Sequence, residues 1–310
     1  MRSQYRRGSS TWRAFASTLA AAVLSVACVT VQVAPAFAQS ADVSTVRLAR
    51  EGYALTKDGA EEIEALLRNK PDDLTARTKL LGFYFRGARI YPREVTIEAR
   101  RRHILWLIEN SPGSEASALS EATIDAKGHA LADPAGFAQA SVLWMEQARR
   151  HDKDVKVLSH AANFFRLSDK ERAVSLLRQA QSAEPNNREW PARIGYVTAL
   201  AILGIDMVNQ NGLPTSHSAA EAKGPFALRA IDELMASPDA ALVGVAGTII
   251  GQYGLMRSVI YRGPEKFAVD HVALSEALLA RARELEPANP QWPHNLQQLR
   301  ELRATANQAK

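Results

Sequence analysis

The side chains that could do chemistry in this chain are few and scattered. Seven histidines stand at positions 103, 129, 151, 160, 217, 271 and 294. No two of them are four residues apart, and none has a paired carboxylate arranged as a zinc site needs. The sequence contains no glycine-x-serine-x-glycine nucleophile turn, no phosphate loop and no dinucleotide fingerprint. Cys28 is the one cysteine, and it falls in a leader described below. No catalytic residue, metal ligand or cofactor is therefore expected, although distant residues could still converge in space. His160 is expected to pack one ring edge and hydrogen-bond the other. Arg100-Arg101-Arg102-His103 is the densest basic run. On a helix these four side chains point around most of the circumference, so they form no flat patch, and a solvated face is expected rather than a ligand site.

Stepping N-terminally, Arg2, Arg6, Arg7 and Arg13 form a basic head with no acid near it. Ala14 to Val33 is largely apolar, and Ala36-Phe37-Ala38 is the small-x-small pattern that signal peptidases accept. The first 38 residues are expected to be an export leader of bacterial type, cut after Ala38, which makes the mature chain periplasmic or secreted. A lipoprotein cut before Cys28 is the competing reading. Ala27 suits it, but Ser25 stands where leucine is usual. Membrane association would follow only from lipidation of Cys28. Gly8-Ser9-Ser10 after Arg6-Arg7 favours an ordinary basic head over twin-arginine export.

The leader also carries most of the apparent basicity. The whole chain has 38 Lys and Arg against 33 Asp and Glu; without the four leader arginines, 34 cations face 33 carboxylates. A nucleic-acid role wants a strong basic excess on one face, and the mature chain has none overall. With Cys28 removed there is no disulfide, so an exported chain of this length must rely on packing.

Helical periodicity dominates the remainder. Ala60 to Asn69 places Ile63, Leu66 and Leu67 on one face. Asp72-Asp73 then opens a helix holding Leu80, Leu81, Gly82, Tyr84 and Phe85, and Glu94 to Asn110 follows, closed by Pro112. Ser114 to Asp133 reads as an alanine-rich helix. Phe137 to His151 reads as an amphipathic one, with Val142, Leu143, Met145 and Ala148 inward. Asp154 to Asn187 reads as two helices. Val157, Ala161 and Phe164 mark the first, Ser168-Asp169 make the turn, Ala173, Leu177 and Ala180 mark the second, and Pro185 stops it. Trp190 to Met207 reads as one long apolar helix and Asn209 to His217 as a loop, followed by helices at Phe226 to Ala236 and Ala240 to Ile260. The polar segment Pro293 to Arg303 suits a terminal capping helix.

A second marker repeats. Glu184-Pro185-Asn186-Asn187-Arg188-Glu189-Trp190-Pro191 returns as Glu286-Pro287-Ala288-Asn289-Pro290-Gln291-Trp292-Pro293, identical at five of eight positions and offset by 102 residues. The first proline disfavours further helix, Asn fills the turn, Trp packs at the joint, and the second proline fits the first turn of the next helix.

The unit Asp154 to Asn187 resembles a tetratricopeptide repeat, and the 102-residue offset is three times its 34-residue period. Leu81-Gly82 with Phe85, and Ile194-Gly195, resemble the leucine-glycine signature of the first helix. The resemblance implies an all-α fold: a right-handed solenoid of antiparallel helix pairs, that is, a TPR-like superhelix. The expected division is a signal peptide at 1–38, degenerate helical hairpins at 39–153, and TPR-like repeats with a C-terminal capping helix at 154–310. It further implies an exported scaffold or adaptor that binds a protein or peptide on its concave face. Lys79, Phe83, Arg86, Phe165, Arg166 and Tyr196 fall near the positions that contact peptides there. The competing assignment is inter-repeat core for the aromatics and ordinary surface for the charges. A helical-solenoid enzyme acting on envelope polysaccharide would need two converging carboxylates, which the sequence does not nominate. Gly244, Gly247, Gly251 and Gly254 line one side of an apolar helix. A buried, closely packed helix is expected there, with assembly of an envelope protein through the stripe as the alternative.

The intact mass of protein recovered from exporting cells is expected to correspond to a chain starting at Gln39. A lipid adduct on Cys28 would overturn that cut.

Overall fold

The computed structural model describes residues 41–86, 90–209, 213–260 and 269–308; the leader and the loop at Gly87 lie outside them. The described residues form thirteen helices, two 3-10 turns and one small sheet. In chain order these are α1 (Val43–Gly52), α2 (Lys57–Asn69), α3 (Leu74–Arg86) and α4 (Arg93–Asn110), then 3-10 turns at Glu115–Ala118 and Ser120–Ala122. Next come α5 (Pro134–Arg150), α6 (Val155–Phe165), α7 (Lys170–Ala183) and α8 (Glu189–Ile202). Strands β1 (Ile205–Val208) and β2 (Pro214–His217) pair antiparallel. The chain ends with the one-turn α9 (Ala219–Ala222), α10 (Pro225–Ala236), α11 (Ala240–Ile260), α12 (His271–Leu285) and α13 (Gln291–Gln308). None of these helices is long and apolar enough to cross a membrane.

Short polar side chains set most of the helix starts. Asp42, Thr56, Asp73, Asp133, Asp154, Asp169, Asp239 and Asp270 each accept from amides of the first turn that follows. Each such cap contributes about 1 kcal/mol by satisfying a donor the helix itself leaves open. In the α6–α7 hairpin, Val157, Ala161, Ala173, Leu177 and Ala180 are all buried, as the spacing predicts. Phe164 is half-buried and stacks 5.0 Å from Phe137 of α5.

Several expectations are corrected. Residues 114–133 are not a helix. Hydroxyl side chains take up the local carbonyls, Ser117 Oγ donating to Ser111 O at 3.0 Å and Thr123 Oγ1 to Ser120 O at 2.7 Å. Gly128 then turns the chain at φ +104°. The apolar helix from Trp190 stops at Ile202 rather than Met207, because Gly204 takes a left-handed φ of +62° just beyond its end. The residues after it pair as the β1–β2 hairpin instead of helix and loop, with Asn209 N donating to Leu213 O at 2.8 Å. On α5 the buried face is Ala140, Trp144 and Ala148; Val142 and Met145 face solvent at 68% and 37% exposure.

From α2 onward each helix packs on the next, and longer-range contacts join particular pairs. α1 lies on α3, α8 on α11, α11 on α13 and α10 on α12. α4 and α5 run parallel: Arg93 at the start of α4 donates to Ala130 O at 2.7 Å, shortly before α5, and the carbonyl of Glu109 near the end of α4 accepts from Gln147 in α5 at 2.9 Å. Residues 111–133 return between them, and their 3-10 turns pack on α3, α4 and α6. Glycines permit the closest approaches. A methyl group on Gly82 would overlap the Ala49 carbonyl, one on Gly52 the Lys79 carbonyl, and one on Gly195 the Leu242 carbonyl. The stripe on α11 is used within the chain: Gly244 meets the Trp292 ring, Gly247 Leu278 and Leu279, Gly251 Ser275 and Leu299, and Gly254 His271. That removes the stripe as a surface for assembly with another molecule.

The two repeated joints are the same structure. Trp190 Nε1 donates to Glu184 Oε2 and Trp292 Nε1 to Glu286 Oε2, both at 3.2 Å. Asn187 and Asn289 donate to the same carboxylates at 3.0 and 2.9 Å, and each accepts at 3.0 Å from the amide two residues on. Arg188 Nη2 bonds Glu286 Oε1 at 2.5 Å, tying one joint to the other. Between them the described residues hold two long helix pairs, α8 with α10 and α11 with α12, plus the hairpin and α9. The 102 residues from one joint to the other thus hold four long helices among those described, where three units of about 34 would hold six.

Gly82→Ala is expected to cost about 1–3 kcal/mol in denaturant unfolding, because the added methyl meets rigid backbone. Gly59→Ala in α2, where a methyl has its nearest neighbour at 3.4 Å, is expected to be neutral or to stabilise by up to about 1 kcal/mol. Equal effects at the two sites would contradict the close α1–α3 approach.

Candidate functional site

The six candidate contact residues fall into two groups. Lys79, Phe83 and Arg86 lie on α3 next to α1. Lys79 Nζ pairs with Glu51 Oε2 at 2.9 Å. The Arg86 guanidinium sits 4.7 Å from the ring centre of Tyr53, whose hydroxyl donates to Glu121 Oε1. Phe83, 1% exposed, packs edge-on against Tyr84 and Tyr91 at 5.1 and 6.1 Å. The two cations are thus engaged within the chain, and α1 covers the glycine between them.

Phe165, Arg166 and Tyr196 lie around the end of α6 and on α8. Phe165 is 2% exposed, edge-on to Phe164 at 4.9 Å, with Arg172 5.0 Å from its ring centre. Arg166 closes α6. Its Nη1 donates to both the carbonyl oxygen and Oδ1 of Asn163 at 2.7 Å, a favourable place for a cation at a helix C-terminus. Tyr196 on α8 is half-buried; burial raises its phenol above the ordinary value, and the charge of Arg166 works against that. Arg166 and Tyr196 are therefore brought together, while Lys79 and Arg86 belong to the α1–α3 contact.

Sequence reasoning missed Arg193, which stands three residues before Tyr196 on the same side of α8. It is 5% exposed, donates to Ser159 Oγ and, at 3.4 Å, to Ser159 O, and has Glu189 Oε1 at 3.7 Å. Burial lowers its pKa to about 10; Glu189 opposes this shift and Arg166 adds to it. The i,i+4 spacing of Glu189 and Arg193 was visible in the sequence, but the burial was not.

The basic run on α4 is corrected as well. Its residues do radiate in different directions: Arg100 and His103 reach into the protein, Arg101 is half-buried, and Arg102 stays exposed as expected. Arg100 is buried, with Nη2 donating to the carbonyls of Glu121 and Thr123 at 3.2 and 2.9 Å. Arg101 grips Asp133 with two bonds of 2.6 Å. Arg102 and the buried His103 both donate to Glu64 Oε1, at 2.7 and 2.9 Å. His160 matches its reading: it is buried, Nδ1 donates to Pro112 O at 2.7 Å, and the ring meets Trp144 edge-on. Among the described residues, no group of three or more His, Cys, Asp or Glu is placed to hold a metal ion.

Phe83→Ala and Phe165→Ala are each expected to lower unfolding free energy by about 3–5 kcal/mol, and Arg166→Ala by no more than about 1 kcal/mol. Phenylalanine variants as stable as the parent would return those rings to the list of surface contacts. No family model matches the chain, and neither the curated proteins nor the solved structures include a significant match to it.

Proposed function

We propose that this protein is an exported, non-catalytic scaffold or adaptor. On this reading, α1, α3, α6, α8, α11 and α13 line the concave face of a right-handed, TPR-like solenoid, which holds a protein or peptide partner. The observation that carries the reading is the alternation of contacts together with the twin joints. In two parts of the chain helices two apart pack on each other, α1 on α3 and, further on, α8 on α10, α10 on α12 and α11 on α13, and the joint before α8 recurs before α13 with the same Glu–Asn–Trp hydrogen bonds. A chain that repeats a structural unit in this way builds an extended surface from equivalent helices, and such surfaces are suited to gripping elongated partners.

Within that face the contact region we favour is the α6–α8 seam. Arg166 and Tyr196 keep partial exposure there, and Arg193 adds a second positive charge beneath them. Phe83 and Phe165 serve as pillars of the stack, and Lys79 and Arg86 secure α1. The combination of guanidinium and phenol suits a partner segment presenting an acceptor group beside an apolar side chain.

The test is photo-crosslinking in intact cells with p-benzoylphenylalanine at position 196 or, as control, at position 178 on the exposed side of α7. A discrete adduct is expected at 196 and not at 178, weakened several-fold by Arg166→Glu. Adducts at 178 alone, or at neither position, would overturn the assignment of this face.

A further inference from the structure

One imidazole joins three helices near the N-terminus. His103 of α4 is 1% exposed. Arg77 Nη1 of α3 lies 3.1 Å from His103 Nδ1. A guanidinium can only donate, so Nδ1 must carry the lone pair and Nε2 the hydrogen. Nε2 then donates to Glu64 Oε1 of α2 at 2.9 Å, the same oxygen that accepts from Tyr84 of α3 at 2.9 Å and from Arg102 of α4 at 2.7 Å. Arg77 is itself held in place, with Nη2 donating to Pro71 O in the α2–α3 turn at 2.5 Å and its plane 3.7 Å from the centre of the Trp106 ring. Tyr84 stacks on His103 at 5.9 Å. Tyr91, which donates to Glu61 of α2, lies 6.2 Å from Tyr84 at the edge of the cluster.

This arrangement accepts only the neutral ring. A proton on Nδ1 would set N–H against N–H at Arg77, and would place a third cation beside Arg77 and Arg102 with Glu64 as the single carboxylate bonded to the ring. We propose that the His103 junction is an acid-sensitive latch, in which protonation of the imidazole releases α2 from α3 and α4 while the C-terminal helices stay folded. The local character follows from the packing. The core shared by α2, α3 and α4 is a small cluster, Ala60, Leu67, Ala76, Leu80, Phe83, Tyr84 and Ala99, separate from the larger clusters around α5–α8 and α8–α13.

The direction with pH follows by linkage. Burial holds His103 below its ordinary value of 6.5, outweighing Glu64. The unfolded segment therefore binds more protons, and stability is full above pH 6.5 and lost as pH falls from there. Glu64 is also held below its ordinary value: burial, the largest influence, pushes its pKa up, but the hydrogen bonds from His103 and Tyr84 and the charge of Arg102 outweigh it. Its contribution is present above its ordinary 4.5 and fades below that, in the same direction.

Hydrogen exchange of the full chain, read by mass spectrometry and corrected for the intrinsic rate, tests the latch. Protection of the peptide covering α2 is expected to fall several-fold, and by no more than about 25-fold, between pH 7 and pH 5, while the peptide covering α8 holds. His103→Gln offers the same acceptor and donor without titrating. It should keep parental protection at pH 7 and abolish the loss at pH 5. Equal acid loss in parent and His103→Gln, or no loss in the parent, would overturn the proposal. If His103→Gln lacks α2 protection already at pH 7, the parental imidazole decides by nitrogen NMR: His103 must stay neutral, with Nδ1 unprotonated, at a pH where exposed histidines are half-charged. A His103 that titrates with them refutes the latch.

Discussion

Close contact between helix backbones fixes the geometry at two places, α1 on α3 and α8 on α11. Such contact is possible only where no side chain intervenes, and both places carry glycine. Gly52 and Gly82 are reciprocal, each facing a carbonyl of the other's helix. Gly195 brings α8 against α11, and the four glycines of α11 receive Trp292, Leu278, Ser275 and His271. Glycine inside a helix costs roughly 1 kcal/mol relative to alanine when exposed. That cost is offset here because the neighbouring helices move in and bury the surface a methyl would have held apart.

The N-terminal third solves the same packing problem with charge. Arg77, Arg100 and His103 are all buried, and an isolated buried charge would be strongly unfavourable. Each guanidinium is accommodated by carbonyl oxygens and an aromatic face: Pro71 O and Trp106 for Arg77, Glu121 O, Thr123 O and Phe85 for Arg100. These contacts fix orientation more than they add stability. They also explain how α4 can lie parallel to α5. Its arginines hold residues 121–133 in place, and that segment returns the chain to the start of the next helix.

Two segments outside the long helices meet each other. Lys127, in the segment before α5, pairs with Asp206 of β1 at 2.9 Å, and Met207 packs against Gly128 where no side chain would fit. The same end of the stack holds Lys170, buried at the start of α7, which bonds Leu167 O and Glu221 of α9. The irregular segment, the hairpin and the α6–α7 turn are therefore joined at one end, beside Arg166.

The sequence by itself determined the helices, because periodicity, aspartate caps and proline stops act within one or two turns. The Asp154 to Asn187 hairpin and the twin Glu–Asn–Trp joints were legible for that reason. Where a single left-handed glycine or local serine bonds decided the outcome, at Gly204 and at Ser114 to Thr123, hydrophobic pattern alone pointed to helix, and the pattern was overruled. The partners of the polar residues were decided only by the tertiary structure. Arg102 and His103 meet Glu64 from nearly forty residues away, Arg193 meets Ser159 across 34 residues, and Phe83 is enclosed by helices that no local window contains. Burial of a side chain is a property of what folds over it, so the difference between a ligand contact and a core pillar at Phe83 or Phe165 had no signature in spacing.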